Sequence, residues 1–342
     1  MESPLSQLQT TRGTPDSGLP TVRPSWLARL RRGSLYSMFK SYGPSGFGYG
    51  STAEEVTAGL DLSGKTILVT GVTSGLGLET ARVLSMRGAR IVGLARTAEK
   101  AREAMRAMPN APVPVACDLA DLATVAAAVA TVSALGLKLD AVICNAGIMA
   151  LPKLEQKEGY ELQFFTNHVG HFALVTGLVD ALAEDGRVVV LSSSAHSDVA
   201  PDGIEFDNLS GELRYDRRNY GQSKLANLLF AKELARRFAG TKRAAIAVHP
   251  GVIQTNLGRY MSGGMQVVVG IGFRLMGPLF LKTVPQGAAT QVWAAAHPDA
   301  AALNGEYLAD CNVAVTSDHG RDMALAARLW ETTEGIVARV RP

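Results

Sequence analysis

Tyr220 and Lys224 are the two residues whose types and spacing point most directly to chemistry. Four residues apart, they share one face of any helix that contains both. A phenol with a pKa of about 10 is a poor base near neutrality, and a neighbouring ammonium favours its phenolate. We therefore predict that Tyr220 is a general acid/base assisted by Lys224. Standing alone, such a pair would more often be an ordinary tyrosine and lysine on an amphipathic helix.

A glycine-rich turn follows the apolar run Thr66–Thr70 and precedes a helical pattern. It reads Gly71-Val72-Thr73-Ser74-Gly75-Leu76-Gly77. Glycine adopts backbone angles closed to other residues, and it lets a helix N-terminus approach a pyrophosphate, whose charge the free N–H groups and the helix dipole favour. The order strand, turn, helix favours a dinucleotide site over a simple tight connection. The residues assigned to this site are Gly71, Ser74, Gly75, Leu76 and Gly77.

The ends of the next strands supply further cofactor-binding candidates. Arg96 follows the second apolar run, where a carboxylate would bind the ribose 2′-hydroxyl of NAD. An arginine there can pair with a 2′-phosphate, which favours NADP over NAD. The alternative is a solvated arginine at a helix start. Asp118 and Leu119 follow the third run and Asn145-Ala146-Gly147 the fourth, and open α/β sheets bind ligands at these strand ends.

Short apolar runs alternate with Ala-rich helical patterns from Lys65 onward. The predicted strands are Thr66–Thr70, Arg90–Leu94, Val113–Ala116, Ala141–Cys144, Arg187–Leu191 and Ala244–Val248. The predicted helices are Leu76–Arg87, Thr97–Ala107, Leu122–Leu135, Gly159–Leu182 and Tyr220–Phe238. This alternation indicates an α/β fold, with a Rossmann-type, doubly wound parallel sheet of about seven strands flanked by helices.

Five motifs occur in an order and spacing that resemble the short-chain dehydrogenase/reductase family. They are Thr70 to Gly77, Asn145-Ala146-Gly147, Ser192-Ser193, Tyr220-Gly221-Gln222-Ser223-Lys224 and Pro250-Gly251, and the resemblance covers roughly residues 60 to 310. The local sequences around Asn167 to Phe172, Ser192 to His196 and Tyr220 to Asn227 are similar to the branch of retinol dehydrogenases and WW-domain oxidoreductases. Five ordered motifs are far more specific than one glycine turn.

The resemblance implies roles for several residues. Ser193 would orient the substrate oxygen toward Tyr220, with Ser192 and Ser194 as close competitors. Asn167 would hold a water in a proton relay to Lys224, which would also bind the nicotinamide ribose. Gly251 and Thr255 would lie on the nicotinamide side, with Thr255 against the carboxamide. The implied activity is NAD(P)-dependent interconversion of an alcohol and a carbonyl by hydride transfer.

Composition limits the classes of protein to consider. The chain has 342 residues, 47% hydrophobic and 19% charged, which excludes a wholly disordered or collagen-like chain. The net charge of +3 gives no argument for nucleic acid. The three cysteines are scattered without metal-ligand spacing and favour a reducing compartment. His168, His171 and His196 are interpreted as packing or loop histidines rather than metal ligands.

We expect one enlarged domain with extensions. A basic Ser/Pro/Gly-rich extension, largely irregular, covers 1–60, the catalytic domain 61–315 and a C-terminal helical extension 316–342. The N-terminal extension is interpreted as a frayed tail; a basic amphipathic helix and an organelle-targeting segment are the alternatives.

Residues 256–284 are rich in apolar side chains and glycines. The resemblance assigns the corresponding segment to a substrate lid, so a lipophilic small-molecule substrate is expected, with peripheral membrane contact as the alternative. It also favours a homodimer or homotetramer built on the fourth and fifth helices. We expect a cytoplasmic enzyme, with membrane association as the alternative. A nucleotide-binding sensor or scaffold with little turnover is the competing function.

Overall fold

The computed structural model describes residues 42–253 and 281–340. Most of the predicted N-terminal extension, Thr255 and the greater part of the predicted lid lie outside the described residues. Within them, a sheet of eight strands forms the centre of the fold, in the order β10-β9-β8-β7-β4-β1-β2-β3. All neighbouring strands are parallel except β10, which pairs antiparallel with β9 at the edge.

The strands and helices are bounded as follows. The strands are β1 (Thr66–Thr70), β2 (Arg90–Ala95), β3 (Val113–Ala116), β4 (Leu139–Cys144), β5 (Gln156–Lys157), β6 (Tyr160–Glu161), β7 (Leu182–Leu191), β8 (Ala244–His249), β9 (Tyr307–Ala309) and β10 (Asn312–Val313). The helices of eight or more residues are α1 (Gly75–Met86), α2 (Ala98–Met105), α3 (Leu122–Ala134), α4 (Gly170–Leu178), α5 (Arg217–Arg237), α6 (Val284–Ala296) and α7 (Met323–Val340). The doubly wound parallel architecture predicted from the sequence is confirmed, with one more strand than the seven expected.

The sheet is covered on both faces, which explains why its strands read as continuous apolar runs. All five residues of β1 are buried. Ile67 packs in a cluster with residues of α1, α2 and α6, whereas its neighbour Leu68 packs on the other face with residues of α3, α4 and α5. Because successive side chains of a strand point to opposite faces of the sheet, β1 contributes to two separate hydrophobic layers.

The described part of the N-terminal extension packs against the sheet and α6. Ala53 and Val56 are buried in the same cluster as β1, and the Ala53 N–H donates to the Pro285 carbonyl at 2.8 Å. The Asn312 side chain binds the backbone of Ser45 and Phe47. The boundary at residue 60 stays a proposal about where the catalytic domain begins.

The helix predicted over Gly159–Leu182 is the main error in the predicted elements. Its first three residues instead complete a β-hairpin: Gly159 belongs to the turn, and Tyr160 and Glu161 form β6, which pairs with β5 just before the predicted helix. Glu158 and Gly159 both adopt positive φ angles, 52° and 79°, as a two-residue hairpin turn requires. A short α-helical turn, Leu162–Phe164, and a π-helical segment, Phe165–Val169, then lead into α4. The extra residue in a π-helical turn locally re-aims the side chains around Asn167.

Candidate active site

The carboxyl ends of the parallel strands meet at one edge of the sheet, where the motif residues follow them. β1 and β4 are neighbours in the sheet, yet the chain continues from β1 toward β2 on one side and from β4 toward β7 on the other. Such a reversal of strand order opens the crevice in which doubly wound sheets bind ligands.

The glycine turn has the geometry of a phosphate cradle. Gly71 and Gly75 adopt φ angles of +75° and +58°, which favour glycine. A Cβ at Gly77 would overlap the Gly71 carbonyl oxygen, whereas a Cβ at Gly75 would meet nothing within 4 Å. The turn is therefore tightly packed at Gly77 and has free space beside Gly75.

The N-terminus of α1 is left available for an anion. Within the described part of the chain, Ser74 at its N-cap makes no side-chain capping hydrogen bond. The helices α2, α3, α5 and α6, by contrast, all begin with a capping side chain. The first N–H groups of α1 therefore remain free for a phosphate oxygen.

A first cleft of about 410 Å³ runs from this turn along the strand ends. The predicted residues that line it are Gly71, Arg96, Asp118, Leu119, Ala146 and Gly147. The Arg96 side chain is exposed at one wall. Asp118 accepts the Ala120 N–H at 3.0 Å, which holds the turn after β3. The cleft joins a glycine cradle to a cation, a donor set that fits a dinucleotide carrying an extra phosphate.

A second cleft of about 420 Å³ adjoins the first through Gly147 and Ile148, which line both. The predicted residues along it are Leu76, Asn145, Ser193, Tyr220, Lys224 and Gly251. The structure thus brings the predicted hydroxyl, phenol and amine to one cavity beside the dinucleotide cleft.

Helix α5 places Tyr220 and Lys224. A capping box between Asp216 and Asn219 starts this helix three residues before the predicted start at Tyr220. The Lys224 Nζ atom lies over the Tyr220 ring, 5.7 Å from its centroid, and donates to the Leu191 carbonyl at 3.2 Å.

Burial acts on both groups in the same sense, favouring the neutral form. It raises the pKa of Tyr220 to about 12, against an opposing hydrogen bond with Ser193, and it lowers the pKa of Lys224 to about 8. The phenol is therefore protonated near neutrality and suited to donate a proton.

The three serines after β7 have different surroundings. Ser192 is buried and donates to the Lys224 carbonyl at 2.7 Å. Ser193 hydrogen-bonds with Tyr220, and its Oγ accepts the Ala195 N–H at 3.2 Å. Ser194 is exposed, and its N–H donates to Nδ1 of His249. Of the three side chains, that of Ser193 is the one placed against the phenol.

Comparison with known proteins identifies the fold family. A family model described as short chain dehydrogenase matches residues 65–205. A chloroplastic short-chain dehydrogenase, TIC 32 B of Brassica napus, is 40% identical over 304 residues, which cover 84% of this chain and 93% of that protein. The chain belongs to the short-chain dehydrogenase/reductase family. It is therefore an oxidoreductase, as the motifs predict.

Two further matches refine the placement within the short-chain dehydrogenases. Retinol dehydrogenase 14 of Homo sapiens is 35% identical over 301 residues, covering 82% of this chain and 88% of that one. A short chain dehydrogenase from Burkholderia cenocepacia J2315, solved in complex with NADP, has 25% identity and a TM-score of 0.57, covering 72% of this chain and 96% of that one. The predicted resemblance to the retinol dehydrogenase branch is confirmed.

Asn167 of this short-chain dehydrogenase/reductase is fully buried in the π-helical segment. Its amide accepts the Ile148 N–H at 2.8 Å and donates to the Ile148 carbonyl at 2.9 Å and to Ser223 Oγ at 3.0 Å. Three of the four hydrogen-bonding positions of the side chain thus hold the loop after β4 against α5.

Three polar residues near the clefts were not assigned to the site from the sequence. Gln291 of α6 binds the Asn145 side chain at 3.2 Å, and His196 binds the Ser193 carbonyl at 2.6 Å. Lys282 is buried beneath Gly251 and pairs with Asp310 at 2.6 Å. Only His196, three residues after Ser193, has a local sequence signal. The other two reach the site through long-range packing.

Over residues 42–253 and 281–340, no cluster of three His, Cys, Asp or Glu side chains is arranged to hold a metal ion. In the same part of the chain, no helix combines the length and apolar character needed to span a bilayer.

Proposed function

We propose that this protein is an NADP-dependent oxidoreductase that interconverts an alcohol and a carbonyl on a lipophilic small molecule. The observation that carries the proposal is the continuity of the two clefts: Ser193, Tyr220 and Lys224 line one, Arg96 and Gly71 line the other, and Gly147 forms part of both. A substrate in the second cleft would lie beside the reactive end of a dinucleotide in the first.

Residues of this chain would transfer the proton to or from the substrate oxygen. The nicotinamide group, when bound, supplies or accepts the hydride. Tyr220 would donate its hydroxyl proton to the carbonyl oxygen in reduction and remove the hydroxyl proton in oxidation. Ser193 would hold the same oxygen by a hydrogen bond. Lys224, when protonated, would favour the phenolate that reduction leaves behind.

Arg96 supports the choice of NADP. It is the one cationic side chain among the described residues that line the first cleft, and the two acids there are Asp118 and Glu155. Asp118 is engaged with the Ala120 N–H. A guanidinium at the end of β2 would pair with a 2′-phosphate. The Burkholderia relative in complex with NADP agrees with this choice.

The walls of the second cleft support a lipophilic substrate. Ile148, Met149, Leu191, Val252 and Ile253 contribute apolar surface around the Ser193 and Tyr220 hydroxyls. A binding site with apolar walls and a few convergent polar groups selects a mostly apolar ligand carrying one oxygen function.

The site of self-association also bears on the proposal. The resemblance assigns a homodimer or homotetramer to the face of α4 and α5. In this chain, Trp330 of α7 packs there, edge-on to Phe172 at 4.7 Å and tilted against Phe230 at 5.7 Å. We propose that α7 takes the place of a second copy on this face. We place the protein in the cytoplasm, with its three cysteines as buried free thiols, and peripheral membrane contact of residues 1–60 is the alternative.

The test is turnover by the purified full chain. NADPH and a panel of lipophilic aldehydes, ketones and quinones should give a loss of nicotinamide absorbance that Tyr220→Phe abolishes. Unchanged turnover in Tyr220→Phe would refute the assigned mechanism. NADPH binding without turnover of any panel member, in either direction, would favour the sensor or scaffold alternative.

A further inference from the structure

A buried chain of hydrogen bonds links the end of β1 to the π-helical segment. Thr70 Oγ1 lies 2.9 Å from the backbone nitrogens of Asn145 and Ala146, and both N–H groups donate to it. The same hydroxyl lies 2.9 Å from Nε2 of His171, whose Nδ1 lies 2.8 Å from the Asn167 carbonyl. Thr70, His171 and Asn167 are all buried.

The number of donors and acceptors determines where each hydrogen lies. A hydroxyl oxygen accepts two hydrogen bonds and donates one, and the two N–H groups fill both acceptor positions of Thr70. Its own hydrogen therefore points to Nε2 of His171, since the other acceptor within reach, the Ile143 carbonyl, is farther away at 3.4 Å. The ring hydrogen then lies on Nδ1, which donates to the Asn167 carbonyl. Burial lowers the pKa of His171 to about 4, so the ring is neutral as this arrangement requires.

The chain of bonds closes into a circuit through Asn167. Its backbone carbonyl is held by His171, while its side chain binds both the N–H and the carbonyl of Ile148. The loop 145–148 is thus fixed at one end by Thr70 and at the other by Asn167. Gly147 lies between these anchors, where an added Cβ would be 3.1 Å from Asn167 Oδ1 and 3.5 Å from Lys224 Nζ.

We propose that His171 is a positioning residue that holds the loop 145–148, the shared wall of the two clefts, at the right distance from Lys224. The hydrogen bond from its Nδ1–H to the Asn167 carbonyl is the contact that holds the loop in place. The inference rests on the proposed function, but it assigns a specific role to a histidine that sequence patterns interpret as core packing. Its neighbour His168, also buried, faces an aromatic cluster instead and bonds to Thr333.

Three substitutions of His171 distinguish the contributions of its two ring nitrogens. The amide nitrogen of His171→Asn takes roughly the place of Nδ1, that of His171→Gln takes roughly the place of Nε2, and His171→Phe keeps ring volume without either. We expect His171→Phe and His171→Gln to lower kcat and raise the Kd for NADPH, each by about 10-fold, as for a misplaced positioning contact. His171→Asn should change kcat and the Kd for NADPH clearly less than the other two variants do. His168→Phe is the matched control, expected to lower stability without changing either constant.

A double-mutant cycle tests the link through Thr70. Thr70→Val and His171→Phe should each raise the NADPH Kd, and the double variant should be little worse than the worse single variant, because both break one circuit. Urea unfolding of every variant separates loss of function from loss of folded protein.

Several outcomes would overturn the proposal. They are wild-type constants in His171→Phe, retention of function by His171→Gln but not by His171→Asn, or fully additive effects in the cycle. If the wild type binds NADPH but turns nothing over, the proposed function fails while the NADPH Kd still tests His171. If His171→Phe does not fold, the comparison of His171→Asn with His171→Gln tests the proposal. Hydrogen exchange of the Asn145 and Ala146 amides is a second test, and it should be faster in His171→Gln than in His171→Asn.

Discussion

The Ser192 hydroxyl donates to the backbone carbonyl of Lys224 at 2.7 Å, so a buried hydrogen bond joins the end of β7 to the helix that carries Tyr220 and Lys224. The adjacent Ser193 has a different partner, the Tyr220 hydroxyl. Of two successive serines, one therefore binds the backbone of α5 and the other lies against the phenol.

This division predicts different defects for the two alanine variants. Ser193→Ala should lower kcat by about 10²–10³-fold, the usual loss for one donor to a developing oxyanion. It should also cost about 1 kcal/mol of stability, because the Ser193 side chain caps the short helical turn that follows it. Ser192→Ala removes a buried hydrogen bond to the Lys224 carbonyl, which keeps its partner within α5, and should cost about 0.5–1.5 kcal/mol in the free energy of unfolding. Steady-state kinetics and urea unfolding measure the two effects. Equal kcat losses in both variants would contradict the assignment of Ser193.

The free space around Gly75 predicts that Gly75→Ala weakens cofactor binding. Its loss of stability should be no larger than that of a similar glycine outside the site. Gly59 is a matched control, because it also has a positive φ, +80°, and nothing within 4 Å of an added Cβ, but it lies outside the glycine turn, whereas Gly75 begins α1. Gly75→Ala and Gly59→Ala should each lose about 1 kcal/mol of stability through backbone strain. Only Gly75→Ala should weaken NADPH binding, measured by quenching of intrinsic fluorescence. Equal NADPH affinities in the two variants would show that phosphate does not approach this turn.

Arg96 predicts a cofactor-specific effect. Arg96→Asp replaces a cation that pairs with a 2′-phosphate by a repelling carboxylate, so the Kd for NADPH should rise by about 100-fold, while that for NADH changes little. Arg102→Asp makes the same charge change on an exposed face of α2 and serves as control. Equal losses for NADPH and NADH in Arg96→Asp would remove the basis for preferring NADP.

The buried Lys224 predicts a pH dependence of stability in the cofactor-free protein. Its pKa is about 8 in the folded state, below the ordinary value of 10.5, so between these values the unfolded chain binds a proton that the folded chain has released. The free energy of unfolding should therefore rise with pH through this window, by up to about 1.4 kcal/mol per pH unit.

Lys224→Met isolates that contribution. The difference in unfolding free energy between the variant and the wild type should favour the variant most near pH 7 and should narrow from pH 8 upward. Taking the difference cancels the other titrating groups, including Tyr220 and the buried cysteines. A difference that does not change from pH 7 to pH 9.5 would show that Lys224 titrates normally.

Trp330 predicts a change in association state. Trp330→Ala should cost about 3–5 kcal/mol and should uncover Phe172 and Phe230 on the face of α4 and α5. We expect this variant to self-associate where the wild type does not, as measured by light scattering after size-exclusion chromatography. Trp293→Ala removes an equally buried tryptophan from the opposite layer and is the control for destabilisation alone. A wild-type dimer unaffected by Trp330→Ala would place any interface elsewhere.

Local patterns were sufficient for the architecture and for most of the candidate site. The glycine turn, Asn145 to Gly147, Ser193 and the pair on α5 lie at strand ends or on one helix face, and for these the chain itself sets the geometry. The local pattern was misleading at Gly159, where a hairpin turn begins an apolar stretch that otherwise reads as one helix. The competing turn conformation costs glycine little, and Glu161 caps the helical turn that follows.

The sequence by itself determined the family, the parallel sheet and the placement of Tyr220 and Lys224 on one helix, because each depends on neighbours in sequence or on the period of one element. Tertiary structure alone decided that Ser192 binds the Lys224 carbonyl, how the loop 145–148 is held by His171 and Asn167, and that α7 covers α4 and α5. These depend on contacts between residues from 19 to more than 150 positions apart, such as Ile148 with Asn167 and His168 with Thr333. Such contacts form only when the hydrophobic layers pack, and no local periodicity encodes them.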